Sequence, residues 1–143
     1  MKIFLDTCAL FKLYHYEVDT NEFEKIFIEN TISGVFLSEL TKLEFASTLW
    51  RKVRMKEITE LQAEQTISVL DRDLKKYNIV PIDASIIENA VKLVARYGKS
   101  GLRTLDSIQL STAVSLKDKA GLFVTADKLL LSFFSKENLT VTI

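Results

Sequence analysis

A chain of 143 residues with 48% apolar side chains is long enough for one well-covered core and is most simply a single domain, residues 1–143. Nineteen basic and nineteen acidic residues cancel, so no global field draws in nucleic acid, and any polyanion has to be held by a local patch. One cysteine, Cys8, and one histidine, His15, exclude an intrachain disulfide, every multi-cysteine zinc site and a two-histidine acid/base pair, which leaves hydrolytic chemistry to oxygen groups.

No apolar run approaches the ~20 residues of a membrane helix, and no charged-then-apolar leader opens the chain. The expectation is a cytoplasmic protein with no membrane partner. Cys8 itself reads as a small buried apolar residue.

Lys2 to Leu5 form a nearly continuous apolar run, as a central parallel strand covered on both faces requires. That strand ends at Asp6. Ligands of open α/β sheets sit outside the carboxyl ends of strands, so an acid there is placed for function, and it is equally placed to cap a helix over Ala9 to Tyr16. Asn21 to Asn30 reads as a helix with Phe23, Ile26 and Phe27 on one side, and Val35 to Leu37 as a second strand. A third helix is expected from about Ser38 to Lys56, with Leu40, Leu43, Ser47, Trp50 and Val53 facing the core and Glu44 on the flank of that stripe. Arg51, Lys52, Arg54 and Lys56 crowd its far end, where they suit RNA phosphates, an acidic partner or the helix C-terminus.

Thr59 and Gln62 make a capping box for a fourth helix through Tyr77, with Leu61, Ile67, Leu70 and Leu74 on its apolar side. Helices three and four are expected to form an antiparallel hairpin that projects as a docking arm. Ile79 to Ile82 reads as a strand whose Pro81 suggests a sheet edge, and Asp83 or Ser85 caps a helix to Tyr97 closed by Gly98. Thr104 is the expected N-cap of the next helix, which places Asp106 in its first turn. Leu122 to Val124 forms a further strand that delivers Thr125 and Asp127, followed by a helix over Lys128 to Phe134 and a final strand over Thr140 to Ile143. Alternating strands and helices predict a three-layer α/β/α sandwich around a central, mostly parallel sheet.

In that topology Asp6 and Asp127 lie at the carboxyl edge of the sheet, and Glu44 and Asp106 sit early in helices starting from it, so four acids converge. Like charges raise each other's pKa, and a divalent cation relieves the conflict. An oxygen-only donor set favours Mg²⁺ or Mn²⁺, which suits phosphodiester hydrolysis. Thr7 or Thr125 would orient a carboxylate or a water, and Arg103, Lys99 and Lys128 are the best-placed candidates to bind RNA phosphates.

Ile3-Phe4-Leu5-Asp6-Thr7, the run from Leu102 to Ala113 containing Thr104-Leu105-Asp106-Ser107, and Phe123-Val124-Thr125-Ala126-Asp127-Lys128 resemble the acidic motifs of PIN-domain ribonucleases. They are closest to the VapC-type toxins of toxin-antitoxin pairs, with Leu43-Glu44-Phe45-Ala46 as the second motif. The resemblance spans nearly the whole chain. It implies a Mg²⁺- or Mn²⁺-dependent endoribonuclease with Asp6, Glu44, Asp106 and Asp127 as catalytic and metal-binding acids and Thr125 as their hydroxyl neighbour. It also implies a homodimer, inhibited by a small antitoxin protein that covers the site. Some members carry one more acid near the later motifs; Ser107, Ala126 and Lys128 do not supply it here, so the number of metals stays open.

Two rival readings explain less. A GxxG nucleic-acid loop of the KH type, Gly98-Lys99-Ser100-Gly101, accounts for four residues and none of the acids. A haloacid-dehalogenase-like phosphatase needs a second Asp where Cys8 stands. The remaining alternative is a PIN fold kept as a protein- or RNA-binding module with little or no catalysis.

Overall fold

Side chains of a strand point alternately to opposite faces, and the first strand shows what that does here. In β1 (Lys2–Leu5), Ile3 and Leu5 enter one core while Phe4 enters another. A computed structural model, which describes residues 1–142, repeats the alternation in β2 (Gly34–Ser38) and β4 (Leu122–Val124). Val35, Leu37, Leu122 and Val124 join the side of Ile3; Phe36 and Phe123 join that of Phe4. With β3 (Asn78–Val80) these strands form one sheet in the order β3-β2-β1-β4, all neighbours parallel.

The first core is closed by α1 (Thr7–Tyr14), α2 (Thr20–Glu29), α3 (Leu40–Arg54) and α4 (Glu60–Asp73). The second is closed by α5 (Ala84–Tyr97), α6 (Thr104–Ser115) and α7 (Lys128–Lys136). This is the expected three-layer sandwich. Aspartates start three of the helices: Asp6, Asp83 and Asp127 accept hydrogen bonds from the backbone N–H groups of Ala9, Ile86 and Leu130. Thr59 and Gln62 form both bonds of the capping box that opens α4. Among the described residues, no helix is long and apolar enough to cross a membrane.

Several local expectations need correction. The core face of α3 is Leu40, Thr41, Phe45 and Leu49, whereas Leu43 is 69% exposed, Trp50 41% exposed and Ser47 exposed. Two apolar stripes lie side by side on this helix. Phe45 wins the interior because it packs against Phe11 (tilted) and Tyr14 (edge-to-face), with ring centroids 5.1 and 5.6 Å away. Ala63 and Leu70 of α4 are buried in the same core, so the α3–α4 hairpin is packed down and does not project as an arm; Leu61 is exposed.

Thr104 is the first residue of α6, and Arg103 precedes it without a side-chain cap. Gly98 keeps helical angles, and the left-handed turn falls on Gly101, φ 104°. Residues 140–142 of the expected last strand form no strand. Thr140 only accepts one hydrogen bond from Phe123 N, 2.8 Å, and Ile143 lies outside the described residues.

Candidate functional site

The ends of β1 and β4 lie side by side, because Leu5 pairs with Val124 and the Asp6 N–H donates to the Val124 carbonyl. Asp6 is only 3% exposed. One of its oxygens caps α1 through Ala9 N, 2.9 Å, and the other accepts the Thr125 hydroxyl. The Cys8 thiol lies 3.2 and 3.1 Å from the two carboxylate oxygens and donates to them. Burial pushes the Asp6 pKa up to about 6, against the hydrogen bonds from Thr125, Ala9 and Cys8 and with the help of the Asp127 charge.

Thr125 is shared between the two acids. Its oxygen also accepts the Asp127 N–H at 3.0 Å, while Asp127, exposed, caps α7 through Leu130 N at 2.9 Å.

Glu44 is held from the other side. The Thr7 hydroxyl and the Gln109 amide approach the same oxygen, Oε1, at 2.8 and 2.9 Å, and the Gln109 amide also lies 3.1 Å from the hydroxyl oxygens of Thr7 and Thr41. The amide nitrogen must face the carboxylate, since its oxygen there would be repelled. That fixes the Gln109 orientation and leaves its Oε1 buried without a partner among the described residues. Asp106, half-buried in the first turn of α6, has its pKa raised by burial first and then by the charges of Asp127 and Glu44, against the opposing charge of Arg103.

Asp6 and Asp106 thus each sense the charge of Asp127, and Asp106 also senses that of Glu44. Asp6, Glu44, Asp106 and Asp127 line one open cleft of about 410 Å³ together with Thr7, Cys8, Gln109, Lys12, Glu17, Arg51 and Lys52. Thr125 sits buried behind Asp6. Arg103, Lys99 and Lys128 are exposed and do not line the cleft; Lys99 belongs to the turn Gly98–Ser100, and Lys128 opens α7.

Cys8, Gln109, Thr41, Lys12 and Glu17 were not expected there. The signal was present for two of them, because Thr41 lies three residues before Glu44 and Gln109 three after Asp106, each on its acid's face of the helix. Cys8 gave none. Its thiol is pushed up by burial and by the Asp6 charge, so it remains a neutral donor.

Among the described residues, no three His, Cys, Asp or Glu side chains are drawn together into a ready-made metal cage. The donor set nonetheless fits a hard divalent cation. It offers only carboxylate oxygens, and Mg²⁺ takes few direct protein ligands and keeps several waters.

The family model of the PIN domain matches residues 3–133, and the chain belongs to the PIN domain family. Among solved structures it is similar to VapC20 of Mycobacterium tuberculosis, described as a Sarcin-Ricin loop cleaving toxin. There the identity is 15% and the TM-score 0.69, covering 91% of this chain and 93% of that one. It is also similar to VapBC-1 of nontypeable Haemophilus influenzae (16% identity, TM-score 0.68, 99% and 97% covered). A third is VapBC2 of Rickettsia felis, bound to a fragment of its promoter DNA (18% identity, TM-score 0.65, 99% and 98% covered). No curated protein sequence matches the chain.

Proposed function

We propose that the protein is a Mg²⁺- or Mn²⁺-dependent endoribonuclease and the toxin of a type II toxin-antitoxin pair. The observation that carries the proposal is the meeting of four carboxylates, from the ends of β1 and β4 and from α3 and α6, in one cleft of a PIN-family chain. Asp6, Glu44, Asp106 and Asp127 would hold the cation, which when bound supplies Lewis-acid polarisation of a phosphodiester and a water that loses its proton near neutral pH.

The chain's own part is orientation. Thr125 ties Asp6 to the segment that carries Asp127, so the two acids are set by one hydroxyl. Thr7 and Gln109 engage one oxygen of Glu44, and no hydrogen bond within the described chain occupies the other, Oε2. Thr41 in turn holds Gln109. Fixed carboxylates bind a cation without reorganising when substrate arrives.

Partners follow from the same reading. The similar VapBC structures contain toxin and antitoxin together, which supports a small antitoxin as partner here. Leu43 and Trp50 on α3, and Ile87, Val91 and Val94 on α5, are exposed apolar residues that support a homodimer. A second reading, a PIN-fold binding module with little or no catalysis, draws on the lack of a ready-made cage among the described residues. Incubation with a mixed RNA pool in Mn²⁺ or Mg²⁺, and again with EDTA, separates them. The nuclease reading expects cleavage that EDTA abolishes; RNA that stays intact at saturating Mn²⁺ contradicts it.

A further inference from the structure

The four acids line the cleft, and Glu17 adds a fifth carboxylate to its lining against only three basic side chains, Lys12, Arg51 and Lys52. An RNA strand entering such a field is repelled at each phosphate that no cation neutralises. A cation on the acids serves the phosphate under attack. Its neighbours in the strand need fixed positive charge.

Two of the three basic residues are already engaged. Lys12 Nζ lies 2.7 Å from Asp19 and 3.3 Å from Glu17, so its charge is used in pinning the α1–α2 connection. Lys52 Nζ is 3.1 Å from Glu57 and stands over the Phe11 ring, 5.8 Å from its centroid. Arg51 is exposed, and among the described residues it has no carboxylate within salt-bridge distance. Its guanidinium is always charged, and its planar fork matches two phosphate oxygens.

Glu44, Thr48, Arg51 and Lys52 follow at i, i+4, i+7 and i+8, and all four line the cleft. Arg51 therefore stands about 10 Å farther along α3 than Glu44, at a helical rise of about 1.5 Å per residue. Arg54, the last residue of α3, does not line the cleft, so position at the end of α3 alone does not put a basic residue there.

We infer that Arg51 forms a phosphate-binding subsite that grips the RNA backbone beside the scissile phosphate and directs the strand along α3. The inference rests on the ribonuclease reading of the acids. It places the grip on the α3 wall and not on Arg103, Lys99 and Lys128.

Steady-state cleavage of a single-stranded RNA in Mn²⁺, at several salt concentrations, tests it with wild type, Arg51→Ala, Arg51→Lys and Arg103→Ala. Arg51→Ala is expected to raise KM by roughly tenfold with kcat little changed, and to flatten the log KM against log salt slope by about 0.7 for one lost phosphate contact. Arg51→Lys should restore the slope, and Arg103→Ala should leave KM nearer to wild type. If Arg51 serves only the end of α3, Arg51→Ala lowers the melting temperature and leaves KM and its salt slope untouched, which overturns the subsite. A larger KM effect from Arg103→Ala than from Arg51→Ala overturns it as well. Wild-type protein that cuts no RNA contradicts the nuclease reading itself and takes the subsite with it.

Discussion

Asp6 and Asp127 stand at the ends of two neighbouring parallel strands, and each caps the helix that follows, yet they are chemically unlike. Asp6 follows its strand at once and is buried, with both oxygens engaged by Ala9, Cys8 and Thr125. Asp127 comes two residues later, past Thr125 and Ala126, and is exposed. Capping is common to both and so says nothing of function. What differs is depth, and depth sets the cost of ionisation: burial keeps Asp6 protonated up to a pKa of about 6, above the ordinary aspartate range, and a bound cation would offset that cost.

The largest expected difference is in activity. Asp6→Asn should cut RNA cleavage by about 10³-fold, because it removes a fixed charge at a buried site. Asp127→Asn should cost less, about 10- to 100-fold, because water already surrounds that carboxylate. Cleavage rates of the two variants on one RNA check the order, and equal losses would erase the distinction between the strand ends.

Stability against pH sharpens the comparison next. The folded chain keeps the Asp6 proton up to a pKa of about 6, whereas an unfolded aspartate releases it near 3.8. In that window the folded state binds more protons, so the metal-free protein should lose stability as pH rises through it, by up to about 3 kcal/mol from this group. Asp6→Asn should remove the decline and be as stable as wild type, or more so, above pH 6. Asp127→Asn should keep it. Urea melts from pH 4 to 7 in EDTA read all three proteins.

The smallest effect belongs to the hydroxyl between the two acids. Thr125→Val takes the donor from Asp6 and the acceptor from Asp127 N, with shape nearly kept. A loss of about 1–2 kcal/mol is expected in thermal melts, since one buried carboxylate bond and one backbone bond go unmade. No loss would mean that water replaces the hydroxyl freely and that Thr125 does not set the geometry.

Much of this was legible in the residues. The apolar run Ile3–Leu5 and its stop at Asp6 mark β1 and the candidate site together, because the part of a strand that is buried on both faces stays apolar until it leaves the sheet. The sandwich follows from alternation of strands and helices. The face of α3 was not legible: Leu43 and Trp50 form an apolar stripe as good as that of Thr41, Phe45 and Leu49, and only the aromatic partners on α1 choose between them. Gln109 shows in the sequence only its place on the face of Asp106, and its role as a holder of Glu44 does not show. A buried amide reads as an ordinary polar residue until its partners, Thr7, Thr41 and Glu44, arrive from two other helices.

The account's central claim is that the acids are held together for a metal at a cost to the bare fold. Thermal melts of wild type and Asp6→Asn, with and without Mn²⁺, test it most directly beside a cleavage assay. At about ten times its dissociation constant, Mn²⁺ should stabilise the wild type by about 1.4 kcal/mol, a few degrees in melting temperature at this size. Asp6→Asn should show much less of that shift, with cleavage lowered by about 10³-fold. An Asp6→Asn protein that keeps the full Mn²⁺ shift and cuts RNA at the wild-type rate would contradict the assignment of this cleft.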